Sequence, residues 1–578
     1  MNLPIFLSEK DKDVRKLVSV MLLFCLSSGI LGAMEPEVIE AIMKVCGVTD
    51  IENLDSERVE YLSDLIRHPV RINSAGRSEL EATGLLTPYQ IISLMDYRSR
   101  HGSVLSSVEL SQVDGFNWSV AETVSPFLNF GCAGSPGRKT DWIKGEVNMR
   151  GGYKSRTDRN ETKSMYGVKS RFSFSDRVVL SVSATESYDS TRYWPTLYSG
   201  NLLWNHSCGK VIIGDFNARF GQGLCMWNTA SFSSLTSPSY FMKRPSGLSA
   251  SNSFTGSSAL TGVASDLIVD RWKLSAAISL PGIKKVYSRP DDVMLAPAVN
   301  LTRSGRYGHA GVTHYMAFSD FMSASYRIPS MLSSLDASVC ISGINLFCET
   351  AYDWVRNMPS VLLGGEFGLG EKTVMAAQAR YHPSANEHAL ALAGEYSDRR
   401  HVLTFSAEGK YHPDGKTKGS KEAYQVKGQV DWKWVPIDRV EVKLKLSERF
   451  RTWGLKSLSK IRTDVRYICP SWNVTLRLDA VKGMDFSCSG YLEGGYVRSS
   501  VSVYSRLGVY MVDNWDDRIY VYERDAPGNF NVPALYGRGF WTSVYVSWKP
   551  AKWGRVYLCG IYKKPGNAEL KLNLALHF

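Results

Sequence analysis

At the C-terminus Leu570, Leu572, Leu574, Leu576 and Phe578 alternate with Lys571, Asn573, Ala575 and His577. Side chains leave a strand on alternate faces, so this stretch predicts a strand with one apolar and one mostly polar face. The same period recurs upstream. Tyr424, Val426, Gly428, Val430, Trp432 and Trp434 alternate with Gln425, Lys427, Gln429, Asp431 and Lys433, and Val440, Val442, Leu444 and Leu446 with Glu441, Lys443 and Lys445. A third run sets Trp472, Val474, Leu476, Leu478 and Ala480 against Asn473, Thr475, Arg477 and Asp479, and Val-Pro-Ile-Asp at 435–438 reads as a tight turn between the first two runs. Roughly twenty such segments of about ten residues, tipped by aromatics, fill residues 141–578. The pattern predicts a mainly β chain: a transmembrane barrel of about 20 antiparallel strands, with Lys427, Lys433, Lys443, Lys445 and Arg477 facing its lumen.

The N-terminal part has a different period. Val38, Ile39, Ile42, Met43 and Cys46 form one helical face, and Val59, Leu62, Leu65 and Ile66 another that ends before Pro69. Thr87-Pro88-Tyr89-Gln90 and Ser106-Ser107-Val108-Glu109 read as capping boxes, and Asn117 as the cap of a last helix over Trp118–Leu128. Residues 34–130 are therefore expected to be a small all-α domain. Before them, Arg15 and Lys16 lead an apolar run over 17–26 with small residues after it, a secretory signal over 1–33. Gly- and Ser-rich residues 131–140 read as a linker.

Charge sharpens this division. Residues 35–130 hold 7 Lys/Arg against 15 Asp/Glu, a balance of −8, whereas residues 131–578 hold 57 against 38, a balance of +19. The acidic domain is thus complementary to a basic barrel and could cover or enter its mouth. A mean hydropathy of −0.17 agrees with strands that show only alternate residues to lipid. The ten cysteines show no metal-ligand spacing and read as small apolar fillers, with room for one disulfide.

Residues 71–128, from Arg71-Ile72-Asn73 through Asp114-Gly115-Phe116, resemble the tandem helix-hairpin-helix domain of the ComEA competence DNA receptors. In DNA-binding members each hairpin is Gly-hydrophobic-Gly, with backbone N–H groups that hold a phosphate. Here the hairpins read Gly84-Leu85-Leu86-Thr87 and Gly115-Phe116-Asn117, each lacking its second glycine. The aromatic end at Phe578 resembles the closing strand that the outer-membrane assembly machinery recognises. Lys210–Trp227, followed by Arg244–Gly247, is similar to a segment of uncharacterised Bacteroidota outer-membrane proteins that join such a helical domain to a barrel. That resemblance implies a Gram-negative outer membrane, with the helical domain in the periplasm.

No HExxH, GxSxG or P-loop stands out, and Phe220-Gly221-Gln222-Gly223-Leu224 reads as a bend where the wall meets an inward-folded loop. His382 and His412 fall at strand ends, and His206, His309 and His314 in strand runs. The expected function is non-enzymatic and without a cofactor: a channel or a component of an export or assembly complex, whose helical domain docks a protein partner or gates the pore. The hairpin residues are the contact candidates. DNA uptake is the second expectation, disfavoured by the acidic charge and the altered hairpins.

Overall fold

The computed structural model describes residues 35–131 and, with breaks in the connections between strands, residues 143–578. The expected signal and most of the linker lie outside the described residues. The wall is a closed antiparallel barrel of 24 strands, so the expectation of about 20 was low. The first strand, Ile143–Arg156, pairs with the last, Asn567–His577, and an even strand number makes that seam antiparallel. Phe578 continues the seam beyond the last strand, its N–H donating to Gly145 (2.9 Å) and its carbonyl accepting from Gly145 (2.8 Å).

Burial is inverted relative to a water-soluble sheet. Leu390, Leu392, Val426, Leu446, Leu478, Leu492 and Leu507 are exposed, whereas Glu349, Glu408, Gln429, Glu493 and Arg506 are buried. An apolar exterior round a polar interior suits a wall bathed in hydrocarbon. Aromatics mark both margins of the apolar zone. Tyr381, His388, Tyr411 and Tyr424 stand opposite one another on consecutive strands. Nearer the other end Trp432 and Trp434 stack, with His401 beside them. Ten residues of strand between Tyr424 and Trp434, at the usual rise and tilt, place these belts about 25 Å apart, the height of a membrane band. No described helix is long and apolar enough to cross a membrane.

The connections differ between the two ends. At the end where the chain enters at Ile143 and leaves at Phe578, strands are joined by two to four residues. The other end carries the long connections 220–259 and 513–536, and parts of both fold inward.

Inside the barrel sits the helical domain: α1 (Glu35–Cys46), α2 (Ser56–Arg67), α3 (Arg77–Thr83), α4 (Pro88–His101), α5 (Ser107–Leu110) and α6 (Trp118–Val124). Its core gathers Ile42, Leu62, Ile72, Leu80, Ile91, Leu94, Leu110 and Phe127. Thr87 and Gln90 form the full capping box of α4. At α5 only half forms: Ser106 accepts from the Glu109 N–H, while the Glu109 carboxylate turns to the Leu105 N–H (2.8 Å). The last helix stops at Val124, because Pro126 follows, and gives way to a 3₁₀ turn over Ser125–Phe127. Asn73 ties the domain together, its amide donating to Val104 (2.9 Å) and Gly131 (3.1 Å) while Arg98 donates to the Asn73 and Ala75 carbonyls.

Candidate functional site

The acidic domain lies in the basic lumen as a plug, and ion pairs to the wall surround it. After α1, Asp50 and Glu52 face three cations on three adjacent strands. Lys445 and Arg462 reach Asp50, and Arg462 (2.8 Å) and Arg477 (2.6 Å) reach Glu52. Each cation also has a carboxylate on the wall: Asp431 for Lys445, Asp479 for Arg462 and Asp464 for Arg477. Burial alone would raise the Asp50 and Glu52 carboxyls. Lys445 and Arg462 at Asp50, and Arg462 and Arg477 at Glu52, instead hold both below the usual carboxylate range.

Three further contacts complete the ring. On α2, Glu60 (3.0 Å) and Asp64 (2.6 Å) share Lys169 of the wall, and Glu60 also accepts from Ser253 Oγ (2.7 Å) of the inward loop 220–259. On α3, Glu81 pairs with Lys273 of the wall (2.5 Å) and Arg77 of its own helix (2.8 Å). Burial works against the Glu81 charge, but the two cations keep its carboxyl low. Arg77 also bonds the Arg271 carbonyl (3.0 Å) in a short turn, which places α3 near the short-turn end. With the polarity reversed, Arg67 (3.0 Å) and His68 (2.6 Å) of the plug hold Glu146 on the first barrel strand.

The expected lumen cations divide by role. Lys433 reaches the plug at Glu40 (3.3 Å), and Lys445 and Arg477 do so as described. Lys443 pairs with Glu441 on its own strand, and Lys427 lies opposite Arg449. Sequence reasoning passed over Lys169, Lys273 and Arg462. The alternation of Arg462 with Ile461 and Thr463 was a usable signal, since it repeats the period of the neighbouring strand.

The hairpins are occupied by their own domain. Leu85 and Leu86 are buried, the Leu85 N–H donates to Thr83 Oγ1 (3.1 Å), and the Thr87 N–H donates to Gln90 Oε1 (2.9 Å). Gly84 takes the left-handed conformation (φ 60°), and its carbonyl accepts from Arg58 (3.1 Å). At the second hairpin Gly115 (φ 83°) accepts from the Gln90 amide (2.9 Å), buried Phe116 donates to Val113 (2.9 Å), and Asn117 caps α6. The Leu85, Thr87 and Phe116 N–H groups are thus engaged within the domain itself. Around the second hairpin, however, Leu105 (61%), Val108 (57%) and Trp118 (57%) stand exposed.

The Gly-rich bend is held by a carboxylate. Glu349, fully buried on the wall, accepts from the backbone N–H groups of Gln222 (2.7 Å), Leu224 (3.0 Å) and Cys225 (3.3 Å). Gly221 (φ 56°) and Gly223 (φ 83°) supply the left-handed backbone that turns the chain toward it. The other inward loop is fastened by Arg524 to Glu493 (2.7 Å), by Glu523 and the Tyr522 carbonyl to Arg506 of the wall (3.3 and 2.7 Å), and by Asp525 to Lys571 (2.6 Å). His309 bridges Asp336 (3.0 Å) and Ser338 (2.8 Å), but both ring nitrogens are engaged and the side chain is 4% exposed, so the group is closed to a substrate. The eight described cysteines outside the signal are free thiols.

No family model and no curated protein matches the chain. Among solved structures it is similar to the siderophore receptor PirA from Pseudomonas aeruginosa, at 7% identity and a TM-score of 0.41, with 76% of this chain and 81% of that one covered. The copper transporter OprC aligns at 9% identity and a TM-score of 0.41, covering 76% and 81%. The FrpB iron transporter from Neisseria meningitidis aligns at 8% identity and a TM-score of 0.35, covering 75% and 81%. Likeness at this level carries no solute or partner over to this chain.

Proposed function

We propose that the chain is a non-enzymatic outer-membrane conduit whose helical domain is both plug and gate. The observation that carries this reading is the ring of acid-on-base contacts between plug and wall. Contacts that join two separately folded parts of one chain set an equilibrium between seated and released states. The short-turn end is the periplasmic end in this reading, because outer-membrane barrels keep short turns there and long loops outside. The full chain in a planar bilayer is expected to be closed at rest and to conduct once denaturant releases the plug. A pore open from the start, or no conductance under either condition, would sink the proposal.

The exposed Leu105, Val108 and Trp118 further support docking of a periplasmic protein, since apolar side chains clustered on one part of a domain mark interaction sites. Replacing all three by Ser in the full chain is expected to abolish recovery of an envelope partner in cross-linked pull-downs from cells. Unchanged recovery would count against docking at this surface.

A further inference from the structure

On the long-loop side of the plug the lumen wall is more basic than its partners require. Lys445 and Arg462 end on Asp50, but the same faces of their two strands run on to Ser447, Arg449 and Lys460. Lys427 stands opposite Arg449 on the next strand, and Arg518 of the inward loop 513–536 lies close enough to repel it. Among the described residues neither Arg449 nor Lys460 makes a hydrogen bond or ion pair, and Arg449 Nε is buried without an acceptor there. The acids that act on them are Asp516 for Arg449 and Asp50 for Lys460, and Asp50 is already committed to Lys445 and Arg462. Like charges gathered on a half-buried wall repel one another, and a buried N–H without an acceptor adds its own cost. A bound anion would relieve both.

We infer that Arg449 and Lys460, flanked by Lys427 and Arg518, form an anion site between the plug and the outer mouth. It takes a small solute bearing at least two negative charges on phosphate or carboxylate groups. Arg449 supplies a planar fork suited to such groups, and Lys460 a point charge beside it. The surrounding basic wall draws the solute in from the long-loop end. This rests on the conduit reading and names its class of solute, yet binding does not require the pore to open.

The test is calorimetric titration of the full-length protein, in uncharged detergent at low salt, with inorganic pyrophosphate and separately with citrate. Binding of either is expected. It should weaken by about tenfold or more in the Arg449→Gln/Lys460→Gln double variant, and survive in Arg449→Lys/Lys460→Arg, which keeps the charge. Heat-dependent migration on SDS gels verifies that each variant is still a closed barrel, and the single Gln variants serve if the double one does not fold. No binding of either anion, or undiminished binding by the Gln variants, would overturn the site. Because no membrane is involved, an anion bound by a barrel that never conducts refutes the conduit alone, and a conducting barrel that binds neither anion refutes the site alone.

Discussion

Asp50→Asn combined with Glu52→Gln is expected to open the barrel without denaturant. Removing one side of a buried ion pair costs about 3–5 kcal/mol, because the remaining charge stays desolvated. Here the cations left behind keep partners on the wall, so the loss is smaller than that figure and consists of the attraction between plug and wall. Lys445, Arg462 and Arg477 keep Asp431, Asp479 and Asp464 as carboxylate partners on the wall itself, so the barrel retains its internal pairing while the plug loses its densest anchorage. The double variant should conduct in bilayers at rest, and residues 35–131 should become accessible to protease while the wall stays resistant. A closed, resistant variant would mean that the remaining contacts hold the plug alone.

Mild acid should not reproduce the double variant. Asp50, Glu52 and Glu81 have folded-state carboxyls held below their ordinary values. Their contribution is therefore complete above the unfolded carboxylate range of about 4 and is lost only as pH falls through the depressed folded values. The natural protein is expected to remain closed at about pH 5, and opening there would contradict the latch.

Glu349→Ala should release the loop at 220–227. One carboxylate meets three backbone donors, and its removal leaves Gln222, Leu224 and Cys225 with unsatisfied N–H groups at a buried site. Each orphaned donor costs about 1–3 kcal/mol, for a total of roughly 3 kcal/mol or more. Hydrogen exchange at 222–225 should accelerate by about 100-fold or more, with the barrel strands unchanged. Glu349→Gln keeps one acceptor oxygen and should fall between. Unaltered protection in Glu349→Ala would show that the glycine bend is set by its own backbone and not by the carboxylate.

The wall was legible wherever a strand alternates large apolar residues with charges, as Tyr424–Trp434 and Val440–Leu446 do. It was less so where the outward face is small, as at Ala377 and Ala379 of Thr373–His382. The α4 boundaries were readable from Thr87, Gln90 and Gly102, because caps are local chemistry. The site was half readable. Opposite net charges pointed to the plug, but which acid meets which base depends on barrel register, which no local pattern contains. Arg449 and Lys460 carried no signal as a pair, since their significance lies in what fails to reach them.

The seam has a consequence for how this molecule is made. Glu146 lies on the first barrel strand directly opposite His577 on the last, and Arg67 and His68 of the helical domain clasp it. The same domain reaches Lys169 on the second strand and Arg477 far along the wall. It is synthesised before any of these strands, while the strand that shuts the cylinder is synthesised last. Until then both sheet edges lie open. The helical domain thus grips the first strand at the joint that the last strand closes, which ties the seating of the plug to the closing of the cylinder.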